Sequence, residues 1–271
     1  MDPKDKIIVA LDVNNLDTAR ALVEQLVPHV GCFKIGLEFI NSVVSSIVFP
    51  RDEEEALENL QKIRDLFQSL EGKIFWDGKF ADIPNTVGGA SKVVAGLNVK
   101  MFNVHASAGI EAMKAAVANK KQSLVFAITI LTSLKARDIW NLGYPSVWPC
   151  VESWERYYNR DLDGPDYLWP LVARMAIRAK EAGCDGIICS PQELEFLGRQ
   201  ESFSNLLRIT PGVRPEWAVV GDQKRVMTPA EAIKAGADYL VIGRPITNPP
   251  EQIGTPVDAV KRITDEIAVV M

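Results

Sequence analysis

Histidine is nearly absent: the 271 residues contain only His29 and His105. A zinc site therefore has few ring nitrogens to draw on. Cysteine is also scarce, and Cys32, Cys150, Cys184 and Cys189 show no Cys-x-x-Cys pairing, so ribbon-type metal sites and dithiol redox motifs lack support. Three of them fall in expected barrel elements and read as small buried apolar groups, with a reducing cytoplasm as the simple setting. Positive charge is not in excess. Thirty Lys and Arg against 35 Asp and Glu leave a net charge of -5, which gives no basic footprint for nucleic acid. A phosphorylated ligand must then be met by locally placed cations. No apolar run approaches the roughly 18 residues of a membrane span, and Met1-Asp2-Pro3-Lys4-Asp5-Lys6 is too polar for a secretory signal.

The chain is 47% hydrophobic and 24% charged, an ordinary globular balance. Short β-rich runs alternate with helical stretches. Strands are expected at Ile7–Asp12, Cys32–Leu37, Lys73–Gly78, Met101–His105, Leu124–Leu131, Gly186–Ser190, Leu207–Pro211 and Tyr239–Gly243. Several are continuously apolar, as parallel strands covered on both faces should be. Helical patterns follow them, including Asp17–Val27, Pro84–Leu97 with proline at its start, and Pro256–Ile267. Thr228-Pro229-Ala230-Glu231 has the form of a capping box. Eight βα units without a composition break predict a single (β/α)8 barrel, a TIM barrel over residues 1–271.

Two stretches exceed usual connection lengths and read as insertions, about 42–71 and 135–166. The first carries the acidic cluster Asp52-Glu53-Glu54-Glu55 and then a periodic apolar set from Leu57 to Leu70, which predicts an extra helix. The second is rich in aromatics: Trp140, Tyr144, Trp148, Trp154, Tyr157 and Tyr158. It reads as a self-packed surface insertion, a subunit contact or a partial lid.

The strand ends collect charge on the face where barrel active sites lie. Asp77 and Lys79 should point to the same side by period-two alternation, and Asp82 follows in the turn before Pro84. Lys34, flanked by helix-facing Phe33 and Ile35, should face the interior. A lone interior lysine is costly unless a carboxylate meets it, and Asp12 and Asp77 lie on the two neighbouring strands. Taken alone, such a set is a structural ion-pair cluster or a proton-delivering network. After strands seven and eight, Gly212, Arg214, Gly243 and Arg244 suit a phosphate, with Gln223 able to add an amide donor from the loop between. Arg225 reads as a surface arginine. His105, a single histidine at a strand end, reads as a packing residue. Thr132 and Ser133 can hydrogen-bond a ligand, but neither has a histidine nearby in sequence to make it a nucleophile.

These residues resemble a known family. Val9-Ala10-Leu11-Asp12, Phe33-Lys34-Ile35-Gly36, Asp77-x-Lys79-x-x-Asp82-Ile83-Pro84-Asn85-Thr86, Asn103-Val104-His105-Ala106, Thr210-Pro211-Gly212-Val213-Arg214 and Gly243-Arg244-Pro245-Ile246-Thr247 are similar, in order, to the orotidine 5'-phosphate decarboxylase family. Gly221-Asp222-Gln223-Lys224-Arg225-Val226 is similar to that family's phosphate-closing loop. The resemblance implies a metal-free, cofactor-free, homodimeric enzyme converting orotidine 5'-phosphate to UMP and carbon dioxide in the last step of UMP biosynthesis. It implies Lys79 as proton donor to C6 and Asp77 beside the substrate carboxylate. Lys34 would hold that network and touch the ribose, and Asp12 would bind a ribose hydroxyl. Asp82 and Thr86 would reach the partner's site. Thr132 would meet the base near Pro211, and Arg214, Gln223, Gly243 and Arg244 would bind phosphate. One departure is Gly78, where the family usually has a bulky apolar residue; that position should face outward and affect packing more than chemistry.

Two other readings stay open. A magnesium-dependent sugar-phosphate decarboxylase or lyase of the same superfamily shares the Asp-x-Lys-x-x-Asp core, but places a carboxylate where this chain has Lys34. A non-catalytic nucleotide-binding barrel is the other, against which stands the intact set of charges.

Overall fold

Runs of three to seven mostly apolar residues, each leading into a helical segment, give parallel strands that pair in chain order and close on themselves. The computed structural model describes residues 2–143, 168–218 and 227–271. Its strands are β1 (Ile7–Ala10), β2 (Cys32–Ile35), β3 (Ile74–Phe80), β4 (Met101–His105), β5 (Leu124–Ile128), β6 (Gly186–Ile188), β7 (Leu207–Thr210) and β8 (Tyr239–Ile242). β8 pairs back to β1, and the predicted α/β TIM barrel is the observed fold.

Alternation divides the side chains between two cores. Ile8, Cys32, Phe75, Met101, Phe126, Ile209 and Tyr239 pack together inside the barrel. Their chain neighbours, among them Val9, Phe33, Ile74 and Phe102, join the larger core beneath the helices. Cys32, Cys184 and Cys189 are buried free thiols, as the sequence suggested, while Cys150 lies outside the described residues.

Most strands stop one to three residues before their expected ends, and residues such as Asp12 fall in the rim loops. β4 ends at His105 as expected, and β3 alone overruns. It runs two residues past Gly78 to Phe80, and its pairing with β4 slips. Trp76 pairs with Phe102 and Phe80 with Val104, so Asp77, Gly78 and Lys79 stand opposite Asn103 alone. Lys79 takes up the excess with φ 51°, a conformation uncommon outside glycine.

The stretch 42–71 holds the one added helix its periodicity predicts, Glu53–Ser69, beyond the regular helix that follows β2. α1 (Leu16–Leu26) precedes β2, and two helices, α2 (Leu37–Val48) and α3 (Glu53–Ser69), then connect β2 to β3. The acidic cluster does open α3, where the Asp52 side chain accepts the Glu55 N–H at 2.8 Å. α4 (Pro84–Gly96) begins at proline, and the Thr228–Glu231 capping box opens the helix Pro229–Lys234. In the second stretch the helix Ala136–Asn141 is present. Its remainder from Tyr144 onward, with Trp148, Trp154, Tyr157 and Tyr158, lies outside the described residues.

Candidate active site

Four charged side chains form one chain of contacts at the C-terminal rim. Lys34 is inward-facing on β2, as Phe33 and Ile35 sit in the outer core. Its Nζ lies 2.8 Å from Asp12 Oδ1 and 3.2 Å from Asp77 Oδ2. Lys79 Nζ donates to the same Asp77 oxygen at 2.7 Å. The other Asp77 oxygen accepts from Asn103 Nδ2 at 2.6 Å. Asp77 is only 6% exposed, and these donors compensate the burial of its charge. Burial alone would lower the Lys34 ammonium, but Asp77 and then Asp12 outweigh it and hold it above the ordinary lysine value.

The network sits where two cavities meet. The larger, about 430 Å³, is lined by Asp12, Lys34, Glu38 and, from the loops after β7 and β8, Pro211, Gly212, Arg214, Gly243 and Arg244. Gly212 has φ 80°, and this left-handed turn lets the loop after β7 bend back, so that Arg214 N–H donates to Met227 O at 2.9 Å. Burial and then the neighbouring Arg244 push the Arg214 guanidinium below its usual value. Two cations sharing one cavity make it attractive to a multiply charged anion. The smaller cavity, about 190 Å³, is mainly apolar: Phe75, Ile128, Ile130, Leu131, Ile188 and Cys189, with Lys34, Asp77, Lys79 and Thr132 as its polar groups. Lys34, Pro211 and Val241 line both chambers, so one elongated ligand can occupy them together.

The structure thus brings together Asp12, Lys34, Asp77, Lys79, Thr132, Pro211, Arg214, Gly243 and Arg244. Asp77 and Lys79 do face one chamber, but through the slipped register and the left-handed Lys79 rather than plain alternation. Asp82 and Thr86 are exposed and line neither chamber; the Asp82 carboxylate accepts the N–H of Ile83 at 2.7 Å. Gln223, with Arg225 and the rest of its loop, lies outside the described residues. His105 is half-buried, and burial followed by the Lys79 charge keeps it below the ordinary imidazole value. Asn103 joins the network although its sequence position gave it no assigned role. An amide at an inward position of β4 was the available signal. Gly78 faces outward as expected: a Cβ there would lie 2.8 Å from Trp76 Nε1 and 2.9 Å from Phe80 Cε1, so two aromatic neighbours already fill the space.

Among the described residues, no group of three His, Cys, Asp or Glu side chains is arranged to hold a metal ion. None of the helices described is long and apolar enough to cross a membrane.

Comparison with known proteins agrees with this geometry. The family model described as "Orotidine 5'-phosphate decarboxylase / HUMPS family" matches residues 5–263. Orotidine 5'-phosphate decarboxylase of Moorella thermoacetica is 39% identical over 279 residues, covering 100% of this chain and 95% of that protein. The enzyme of the same name from Nostoc sp. is 41% identical over 276 residues, covering 98% of this chain and 99% of the other. The crystal structure of orotidine 5'-phosphate decarboxylase from Lactobacillus acidophilus superposes with a TM-score of 0.68 at 27% identity, covering 96% of this chain and 98% of that one.

Proposed function

The chain belongs to the orotidine 5'-phosphate decarboxylase / HUMPS family, and we propose that its cleft converts orotidine 5'-phosphate to UMP and carbon dioxide, the closing step of UMP biosynthesis. The observation that carries the assignment of residues is the joining of a cation-lined chamber to an apolar one across Lys34. Phosphate lies against Arg214, Gly243 and Arg244, with Gln223 added from its loop. Asp12 and Lys34 hold the ribose hydroxyls. The pyrimidine enters the smaller chamber between Thr132 and Pro211, with its carboxylate toward Asp77.

The C6–carboxylate bond breaks, carbon dioxide leaves, and the electron pair stays on C6. The Lys79 ammonium stabilises that pair and transfers a proton to C6; solvent then reprotonates the lysine. The charges are in place before the reaction begins, so little reorganisation is needed as negative charge develops. The distant phosphate supplies binding energy that orients the ring.

The reading includes a homodimer in which Asp82 and Thr86 serve the cleft of the second subunit. Its support is the unbroken exposure of residues 81–86 on the rim beside Lys79. A cytoplasmic setting accords with the buried free thiols.

The family's sugar-phosphate branch is disfavoured by one contact: the Lys34 ammonium stands between Asp12 and Asp77, where a divalent cation would be repelled. The deciding assay follows loss of the orotidine chromophore with and without chelator. Chelator-insensitive decarboxylation is expected. Loss of activity with chelator would favour the sugar lyase, and UMP binding without turnover would favour a non-catalytic barrel.

A further inference from the structure

The slip between β3 and β4 leaves a backbone donor and a carboxylate oxygen that one side chain satisfies together. Asn103 is fully buried. Its Oδ1 accepts the Lys79 N–H at 2.8 Å, and its Nδ2 donates to Asp77 Oδ1 at 2.6 Å. An amide is the group this position requires. The carboxylate offers only acceptors and the peptide N–H only a donor, so the partner must present one of each in a fixed plane. Aspartate when ionised, leucine and alanine each fail one side or both. Lys79 meanwhile holds φ 51°, a conformation that persists only when its surroundings over-determine it.

The geometry points to Asn103 as a positioning residue: it locks the slipped segment Asp77–Lys79 so that the Asp77 carboxylate and the Lys79 ammonium are aimed into the same chamber. This rests on the decarboxylase reading and adds a residue to it. Asn103 lines neither chamber, so it acts through Asp77 and Lys79.

Asn103→Ala and Asn103→Asp test the assignment against the parent enzyme. Asn103→Ala should lower kcat for orotidine 5'-phosphate by about 100-fold, the scale of an ångström-sized misplacement, while UMP affinity stays within about threefold. In Asn103→Asp a second carboxylate replaces the amide against Asp77. The charged groups around it are Lys34 from β2, Asp77 and Lys79 from β3 and the half-buried His105 farther along β4. Two such carboxylates cannot both ionise easily, so one retains its proton. The protonated form donates to Asp77 and accepts from Lys79, as the amide does. Asn103→Asp should therefore be more active at the acid end and lose activity as pH rises, a profile absent from the parent. A merely structural role would not produce that acid-side rescue. Parent-like kcat in Asn103→Ala, or a parent-shaped pH profile in Asn103→Asp, would overturn the proposal. Should neither variant fold, amide exchange in the parent decides: the Lys79 N–H should be strongly protected, and rapid exchange would sink the idea. Decarboxylation by the parent itself is read separately, so failure of this inference does not resemble failure of the activity.

Discussion

Gly36 and Lys34 are complementary in shape. A Cβ on Gly36 would lie 2.7 Å from Lys34 Nζ and 3.2 Å from Asp12 Oδ1. The obstacle is the far end of a lysine side chain and not backbone, so Gly36→Ala should fold and displace the ammonium. The expected result is a melting temperature within a few degrees of the parent and kcat/KM lower by about 10- to 100-fold. Gly96→Ala, at an exposed helix end with only Lys121 Nζ at 3.8 Å, serves as the control. Equal activity in both variants would remove Gly36 from the argument.

Lys79→Ala should reduce turnover by at least about 1,000-fold, the combined scale of proton transfer and charge stabilisation. UMP titration should still show binding, because the phosphate chamber is untouched. Parent-like turnover would refute the assigned proton donor.

Arg244→Ala should act mainly on KM. Loss of a charge-assisted hydrogen bond costs about 1.5–3 kcal/mol, or about 10- to 150-fold in KM. Steady-state kinetics on orotidine 5'-phosphate measure this directly, and an unchanged KM would move the phosphate elsewhere.

His105 takes up a proton less readily than an ordinary imidazole, because burial and then Lys79 depress its folded value. Below the ordinary imidazole value the unfolded chain binds the proton first, so His105 should lower stability as pH falls through about 6.5. His105→Gln should remove that component from the pH dependence of urea unfolding. An undiminished slope would assign it to other groups.

Cys32 and Cys184 are pushed up to about 12, mainly by burial, and burial likewise pushes the Cys189 thiol well up. None should react with a thiol reagent at pH 8 until the chain unfolds. Peptide mapping of the labelled native protein tests each cysteine separately, and labelling of Cys32 inside the barrel would contradict the closed interior.

Lys34 was legible because its neighbours are apolar and alternate with it, and a buried ammonium requires carboxylates within reach. Arg214 and Arg244 were legible because the ends of the last two strands converge in any such barrel. The role of Asn103 was not, because it depends on a register slip that has no local sequence signature. α2 was hard to delimit for another reason: Val43, Val44, Ile47 and Val48 are β-branched, and local preference did not announce a helix there. What holds it is tertiary packing: its own Phe39 is fully buried in the core beneath the helices.

The wall shared by the two chambers has a consequence for ligand design. An anionic fragment seated by the arginines and a flat apolar fragment seated near Ile128 meet only at Lys34, Pro211 and Val241. Occupancy of one compartment leaves the other open, so a short tether routed past Lys34 converts two weak binders into one strong one through effective concentration.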